Sequence, residues 1–485
     1  MTGPKVNMDT MSLRWGHYWV LIVASMGQIV GAGLATLVGI IIPMIQIIRH
    51  PELTSLQQGL MGCTSLIGIT VGSLLFGRLS DKYGYLLFFR LCPVIVLAAS
   101  LLAYFTASLP WLVVGLFLMG LGIGGGYSLD SDYISEIMPQ RWRLFMVGVA
   151  KASSSLGNIM VALICFFLLK DWHEPEMWNR LLLIITTFAL VMILSRIHFT
   201  QSPGWLITHN RPAEAEVAVR YFLGADVEVV EKGNTGEPGI HHHIGADMEV
   251  GEIRNRAKKK DLQKATLASL FHGKNLKRVI FSGIPWACEG LGVYGIGVFL
   301  PILVMALGLE PTSGTVLGGK AIEALHRIIN SVEITVWINL FILPGFALGL
   351  FLINRWYHVR IQVGGFILCA LGLTLLLVAY KFHLPVWLAI AGFMIFELFL
   401  NAGPHLMTFI IPSQIYPVAD RGEGAGLAAA IGKAGAVLGV LFIPMLLSWG
   451  GVELVLLVSI FVQIIGAVAT GIIGREVLPD KKKNV

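Results

Sequence analysis

The sequence predicts an all-α integral membrane protein, with twelve transmembrane helices in two pseudo-symmetric six-helix halves. Three observations carry this. First, of 485 residues 55% are hydrophobic and 13% charged, where soluble chains average about 25% charged; the mean hydropathy is +0.76. Second, apolar runs of about 20 residues, the length that crosses ~30 Å of hydrocarbon, fall at about 18–47, 58–79, 86–106, 111–137, 144–169, 181–200, 279–307, 332–353, 362–380, 385–411, 424–448 and 453–473. One long polar segment divides them six and six. The organisation is therefore 1–200, an N-terminal six-helix half; 201–277, a cytoplasmic linker with amphipathic helices; and 278–485, a C-terminal half with a basic tail. Third, with both termini placed in the cytoplasm, 27 of the 35 Lys and Arg fall on the inner side and six on the outer side. That asymmetry is the positive-inside pattern. It accounts for the net charge of +6 without nucleic acid, and the expected location is the plasma (inner) membrane.

Met1–Gly16 is a polar tail with no cleavable signal before the first run. The five cysteines all fall inside predicted spans and form no CxxC pair, so they read as small buried apolar residues. No HExxH, GxSxG or phosphate-loop motif is present, and neither enzyme activity nor a cofactor nor a metal is expected.

The first run is rich in glycine (Gly27, Gly31, Gly33, Gly39) and holds no acid; small residues let helices approach closely. The loop after the second run reads GRLSDKYG, Gly77–Gly84. The fourth run and its loop read GIGGGYSLDSDYISEIMPQRWR, Gly122–Arg143. A carboxylate within a span costs about 2.5–3.5 kcal/mol on insertion scales and usually faces a partner or a water-filled path. Tyr127 and Asp130, three apart, share one helix face; Asp132 points away, toward the side of Glu136.

An internal repeat links the halves. Ser135-Glu136-Ile137-Met138-Pro139, with Arg143 four later, echoes Ser413-Gln414-Ile415-Tyr416-Pro417, with Arg421 four later. Lys151, five residues before Leu156-Gly157, echoes Lys433, five before Leu438-Gly439.

These stretches resemble the major facilitator superfamily. In Gly77–Gly84 the residues Gly77, Asp81, Lys82 and Gly84 match its inter-helix motif, while Tyr85 and Leu86 replace the usual bases. Tyr133–Arg143 and TQSPGWLITHNRPAEAE after the sixth run are similar to sugar porters, with Gln201 for the usual glutamate and Gly204 for the usual arginine. Other pieces resemble the phosphate:proton symporter branch. They include Tyr127, with Gly126 at that branch's acid position; Trp286 and Tyr294 in helix seven, where the acid is Glu289 rather than residue 290; and Asn401–Pro417 followed by Gly432–Gly439. In the last, His405 replaces an asparagine, Gln414 a glutamate, and Phe409 stands where sugar porters place tryptophan.

The resemblance implies alternating access around a site between parallel repeats. The expected substrate-binding residues are Tyr127, Asp130, Trp286, Glu289, Tyr294, Asn401, His405 and Lys433. Asp130, with Glu289, is expected to carry the proton, and Asp81, Lys82, Glu136, Arg143 and Arg421 to gate the cytoplasmic side. Glu397 and Lys151 are further intramembrane charges. The expected activity is proton-coupled symport of a small anion, phosphate or a small organic acid, by a monomer in the lipid bilayer. The alternatives are a sugar-like metabolite:proton symporter and a membrane solute sensor without flux. Two linker features are expected: a basic amphipathic helix at Arg254–Leu267, and His241-His242-His243 as exposed polar loop. Gly318–Glu333 is expected to form an outer-surface helix.

Overall fold

The computed structural model describes residues 11–49, 51–106, 108–172, 175–224, 273–309, 320–353, 355–416 and 421–478. Every regular element among them is helical. In the N-terminal half these are α1 (Trp15–Ile48), α2 (Ser55–Tyr83), α3 (Tyr85–Thr106), α4 (Leu109–Ile137), α5 (Gln140–Ala152), α6 (Ser154–Trp172) and α7 (Leu182–Arg196). The short helices α8 (Pro203–Thr208) and α9 (Pro212–Leu223) follow. The C-terminal half holds α10 (Gly273–Gly290), α11 (Leu300–Ala306), α12 (Lys320–Asn339), α13 (Ile342–Ile353), α14 (His358–Lys381), α15 (Val386–Ala402), α16 (Pro404–Ile415) and α17 (Arg421–Val477).

Among the described residues, eleven helical segments are long and apolar enough to cross a membrane. The last of them breaks at Gly450 and Gly451, where Gly451 has φ 64°, a left-handed conformation that favours glycine. It therefore supplies two spans, and the twelve predicted helices are present. Large apolar side chains such as Leu74, Phe105, Phe461 and Ile472 are exposed on the outside of the bundle, the surface a bilayer covers.

Interruptions inside the spans position the functional side chains. The fifth span breaks after Ala152, where the Ser153 hydroxyl donates to the Ala150 carbonyl at 2.6 Å and to the Ser25 carbonyl of α1 at 3.2 Å. The seventh passes from α10 through a π-helical turn, Leu291–Ile296, into α11. The tenth breaks at Gly403, between α15 and α16.

The halves meet most tightly at the end remote from the chain termini. Leu37, Ile41 and Met44 of α1 share one buried cluster with Phe299, Leu303 and Val440. A Cβ added at Gly39 would lie 1.8 Å from the Val298 carbonyl oxygen, and one at Gly59 2.4 Å from that of Leu441. At the other end the contact is made by side chains, with Gly148 of α5 against Leu350 and Leu406.

Two expectations change. The polar stretch expected as an outer-surface helix is part of the eighth span: α12 starts at Lys320, and Ser331, Val332 and Thr335 are buried. Serine and threonine there satisfy themselves on preceding carbonyls, at 2.7 and 2.8 Å, which is how a polar helix stays inside a bundle. The linker's described parts are α8 and α9 only. The expected helix at Arg254–Leu267 and the three histidines lie outside the described residues. All five cysteines are buried and free.

Candidate functional site

In the N-terminal half the site is built on a buried ion pair. Asp130 of α4 and Arg196 of α7 are 2% and 0% exposed, with Arg196 Nη2 2.7 Å from Asp130 Oδ1. Arg196 Nη1 donates to the Phe89 carbonyl of α3 at 2.9 Å, and its guanidinium lies over the Phe89 ring. Arg90 donates to the carbonyls of Ile197 and Phe199 at 2.6 and 2.9 Å. It thereby satisfies the carbonyls past the end of α7 and leaves Arg196 to turn inward. The other carboxylate oxygen, Asp130 Oδ2, has no hydrogen-bond partner and faces α1. A Cβ at Gly27 would lie 2.1 Å from it, and one at Gly31 2.0 Å from the Tyr127 hydroxyl. The glycines of α1 therefore make the space that Tyr127 and Asp130 fill. Position 126 looks into the same space, since a Cβ there would meet only Asp130 Oδ2, at 3.7 Å. Residues four apart on a helix lie one above the other, so Asp130 delivers a carboxylate where an acid at 126 would.

In the C-terminal half the π-turn sets the register. A π-turn holds one residue more than an α-turn, so Glu289 and Tyr294, five apart, come to one face and interact. An acid at residue 290 is sterically excluded: a Cβ there would lie 2.6 Å from the Gly432 carbonyl oxygen. Gly290→Asp is accordingly expected to abolish folded expression, read as loss of the monodisperse peak in detergent, because the obstacle is backbone. Glu289 hydrogen-bonds His405 Nδ1 across α10 and α16, and both are buried. Lys433 Nζ donates to the Tyr294 hydroxyl at 3.3 Å and stands over two rings, Tyr294 at 4.9 Å and Tyr127 at 5.7 Å. One tyrosine comes from each half. Lys151 of α5 lies within electrostatic range of Tyr294, Lys433 and Glu289.

Tyr127, Glu289, Tyr294, His405, Lys433 and Lys151 thus form one central cluster, with Asp130 beneath Tyr127 on α4. Trp286 lies at its edge, against Gly432 and edge-on to Phe409 at 6.0 Å. Asn401 is directed elsewhere: its Nδ2 donates to the Glu397 carbonyl at 2.7 Å and carboxylate at 3.3 Å within α15.

On the side of the termini, Glu136 accepts from the Ser202 hydroxyl and from Gly204 N at 3.0 Å. Ser202 also caps α8 by accepting from Trp205 N at 3.1 Å, and a carboxylate at a helix N-terminus is favoured by the dipole. A Cβ at Gly204 would lie 2.6 Å from Glu136 Oε2, so glycine in place of the usual arginine admits the carboxylate to the backbone. Gln201 accepts from Leu86 N at 2.9 Å, tying α8 to α3 as well. Arg143 is within electrostatic range of Glu136 and donates to the Met138 carbonyl at 3.4 Å. Lys82 is exposed and packs on the Tyr83 ring at 5.0 Å. The side chains of Asp81 and Arg421 lie outside the described residues. Gly204→Ala is expected to displace Glu136 and cost about 1 kcal/mol, as lost helix caps do, seen as a lower detergent melting temperature.

Arg196 is the residue that sequence reasoning missed. It stands near the end of the sixth apolar run, among the bases on its inner side. The signal was Asp130 itself, since an intramembrane acid calls for a counter-ion, but spacing along the chain does not reveal which base across 66 residues supplies it.

Two six-helix halves around a charged central cluster define a membrane transporter of the major facilitator fold. Residues 25–478 match the Sugar (and other) transporter family model, and the chain belongs to that family. It is 25% identical over 473 residues to the inner membrane metabolite transport protein YgcS of Escherichia coli, covering 97% of this chain and 94% of that one. It is 22% identical over 460 residues to the inorganic phosphate transporter PHO84 of Saccharomyces cerevisiae, covering 89% and 76%. The proton:xylose symporter XylE bound to 6-bromo-6-deoxy-D-glucose superposes with a TM-score of 0.67 at 16% identity, covering 95% and 96%, and this shared structure is one of fold.

Proposed function

We propose that this transporter is a proton-coupled symporter of a small anion, inorganic phosphate or a small organic acid, acting as a monomer with both termini cytoplasmic in an inner (plasma) membrane. The observation that carries the reading is Lys433: a half-buried ammonium at the centre of the bundle, held by two tyrosines and by no carboxylate among the described residues. A cation in that position is retained for an anionic partner. Tyr127 and Tyr294 offer hydroxyl donors beside it. Asp130 is the proton carrier, with Oδ2 the oxygen that takes the proton, and Glu289 with His405 is a second acceptor. Glu136, Arg143 and Lys82, with Asp81 and Arg421, close the cytoplasmic path; the close packing near Gly39 and Gly59 supports a closed end remote from the termini, the outer end on this reading.

The test is external alkalinisation on adding phosphate, a small carboxylate or xylose to proteoliposomes of the pure protein. An anion-driven signal that Lys433→Gln lowers to the level of empty vesicles supports the reading. A xylose-driven signal that survives Lys433→Gln overturns it in favour of the sugar alternative, which the XylE fold supports. Binding without flux overturns it in favour of a sensor.

A further inference from the structure

Resting on the anion-symport reading, we infer that the solute is a dianion whose two negative charges bridge Lys151 and Lys433, one lysine from each half. The two stand at repeat-related positions on α5 and α17, and both are half-buried. Each is fixed by a local break or close approach. Lys151 lies in the last turn of α5, two residues before the Ser153 turn, and Lys433 follows Gly432, which packs against the Trp286 ring. Lys151 lies within electrostatic range of Lys433, and among the described residues neither makes an ion pair.

The charges around them decide the solute class. Asp130 is matched by Arg196. Among the described residues Glu289 is the carboxylate that interacts with both lysines, and its oxygen is engaged by His405. The cluster therefore sets two ammonium groups against one carboxylate. When the Glu289–His405 pair takes up one proton, two positive charges are left uncompensated. A monoanion would neutralise half of that excess, whereas a dianion neutralises all of it and places an acceptor on each lysine. Like charges in a site of low effective dielectric repel strongly, so without the dianion the two halves resist closing on one another. With it, the same lysines become the link between them. The charge of the solute thus sets both recognition and occlusion.

The experiment uses the full-length protein in proteoliposomes and compares succinate with butyrate, four-carbon acids of two charges and one, alongside inorganic phosphate and xylose. Uptake of succinate or of phosphate is expected to exceed that of butyrate by about 10–100-fold, the worth of one charge-assisted hydrogen bond. Succinate alone would identify a dicarboxylate and phosphate alone a phosphoryl group, and either supports the inference. Lys151→Gln should erase the dianion preference while Lys151→Arg restores it, which a merely structural role for Lys151 would not produce. Equal uptake of butyrate and the dianions, or a preference unchanged in Lys151→Gln, overturns the inference. If butyrate then enters with protons and is lost in Lys433→Gln, anion symport stands without the dianion rule. If xylose alone drives proton entry, both fall.

Discussion

Asp130→Asn is expected to abolish accumulation of solute against a gradient while leaving exchange of labelled for unlabelled solute across the membrane intact. Asparagine keeps the shape and an acceptor for Arg196 Nη2, 2.7 Å away in the wild type, but it removes the carboxylate that the symport proposal assigns as the proton carrier. Exchange needs only the loaded carrier to reorient, so it survives where coupled uptake does not. Loss of both activities together would place Asp130 in the scaffold instead. Arg196→Met has the complementary effect. It leaves a buried carboxylate without its counter-ion, and removing one partner of a buried pair costs about 3–5 kcal/mol. The expected result is a sharply lower melting temperature in detergent, recovered largely in the double variant Asp130→Asn, Arg196→Met. A single variant as stable as wild type would show that the pair contributes nothing to the fold.

Gly39→Leu is expected to hold the transporter open at the end remote from its termini. Its Cβ would lie 1.8 Å from the Val298 carbonyl oxygen, an obstacle made of backbone that no rotamer change relieves. The halves share a continuous apolar cluster there, so the strain falls on the closed arrangement and spares the one in which α1 and α11 have separated. Overpacking of this kind costs about 1–3 kcal/mol, which shifts a two-state equilibrium about 5–150-fold. Net uptake should fall by a comparable factor, while hydrogen exchange at the amides of α11 (Leu300–Ala306) accelerates. Unchanged flux with unchanged exchange would mean that this contact persists throughout the cycle.

Much of the fold was legible in the sequence for one reason: a bilayer leaves backbone polar groups no water, so only helices about 20 residues long span it. Hydropathy alone therefore located the twelve spans and the division into halves. The apparent exception, Gly318–Glu333, failed because Glu323, Arg327 and Glu333, which are exposed along α12, lower the hydropathy of a genuine span. Breaks at Ser153, Gly403 and Gly450-Gly451 were only partly visible, since glycine and serine also occur in unbroken transmembrane helices.

The site divides in the same way. The internal repeat, helix-face spacing, the cost of intramembrane charge and the family resemblance singled out Tyr127, Asp130, Glu289, Tyr294, His405 and Lys433, and the structure brings these together, with Asp130 just below. They also singled out Asn401, which instead bonds Glu397. Three facts required tertiary structure: Arg196 as the partner of Asp130, the π-turn that puts Glu289 on the face of Tyr294, and the meeting of Lys151 with Lys433. Each depends on how helices distant in sequence rotate against one another. A single extra residue in a turn, or a glycine in the opposing helix, changes that rotation without leaving a periodic signal. What the sequence by itself determined is the number and length of the helices, because these answer to the bilayer, whereas the pairing of charges inside the bundle was decided only by packing, because there the partners are set by distance in space.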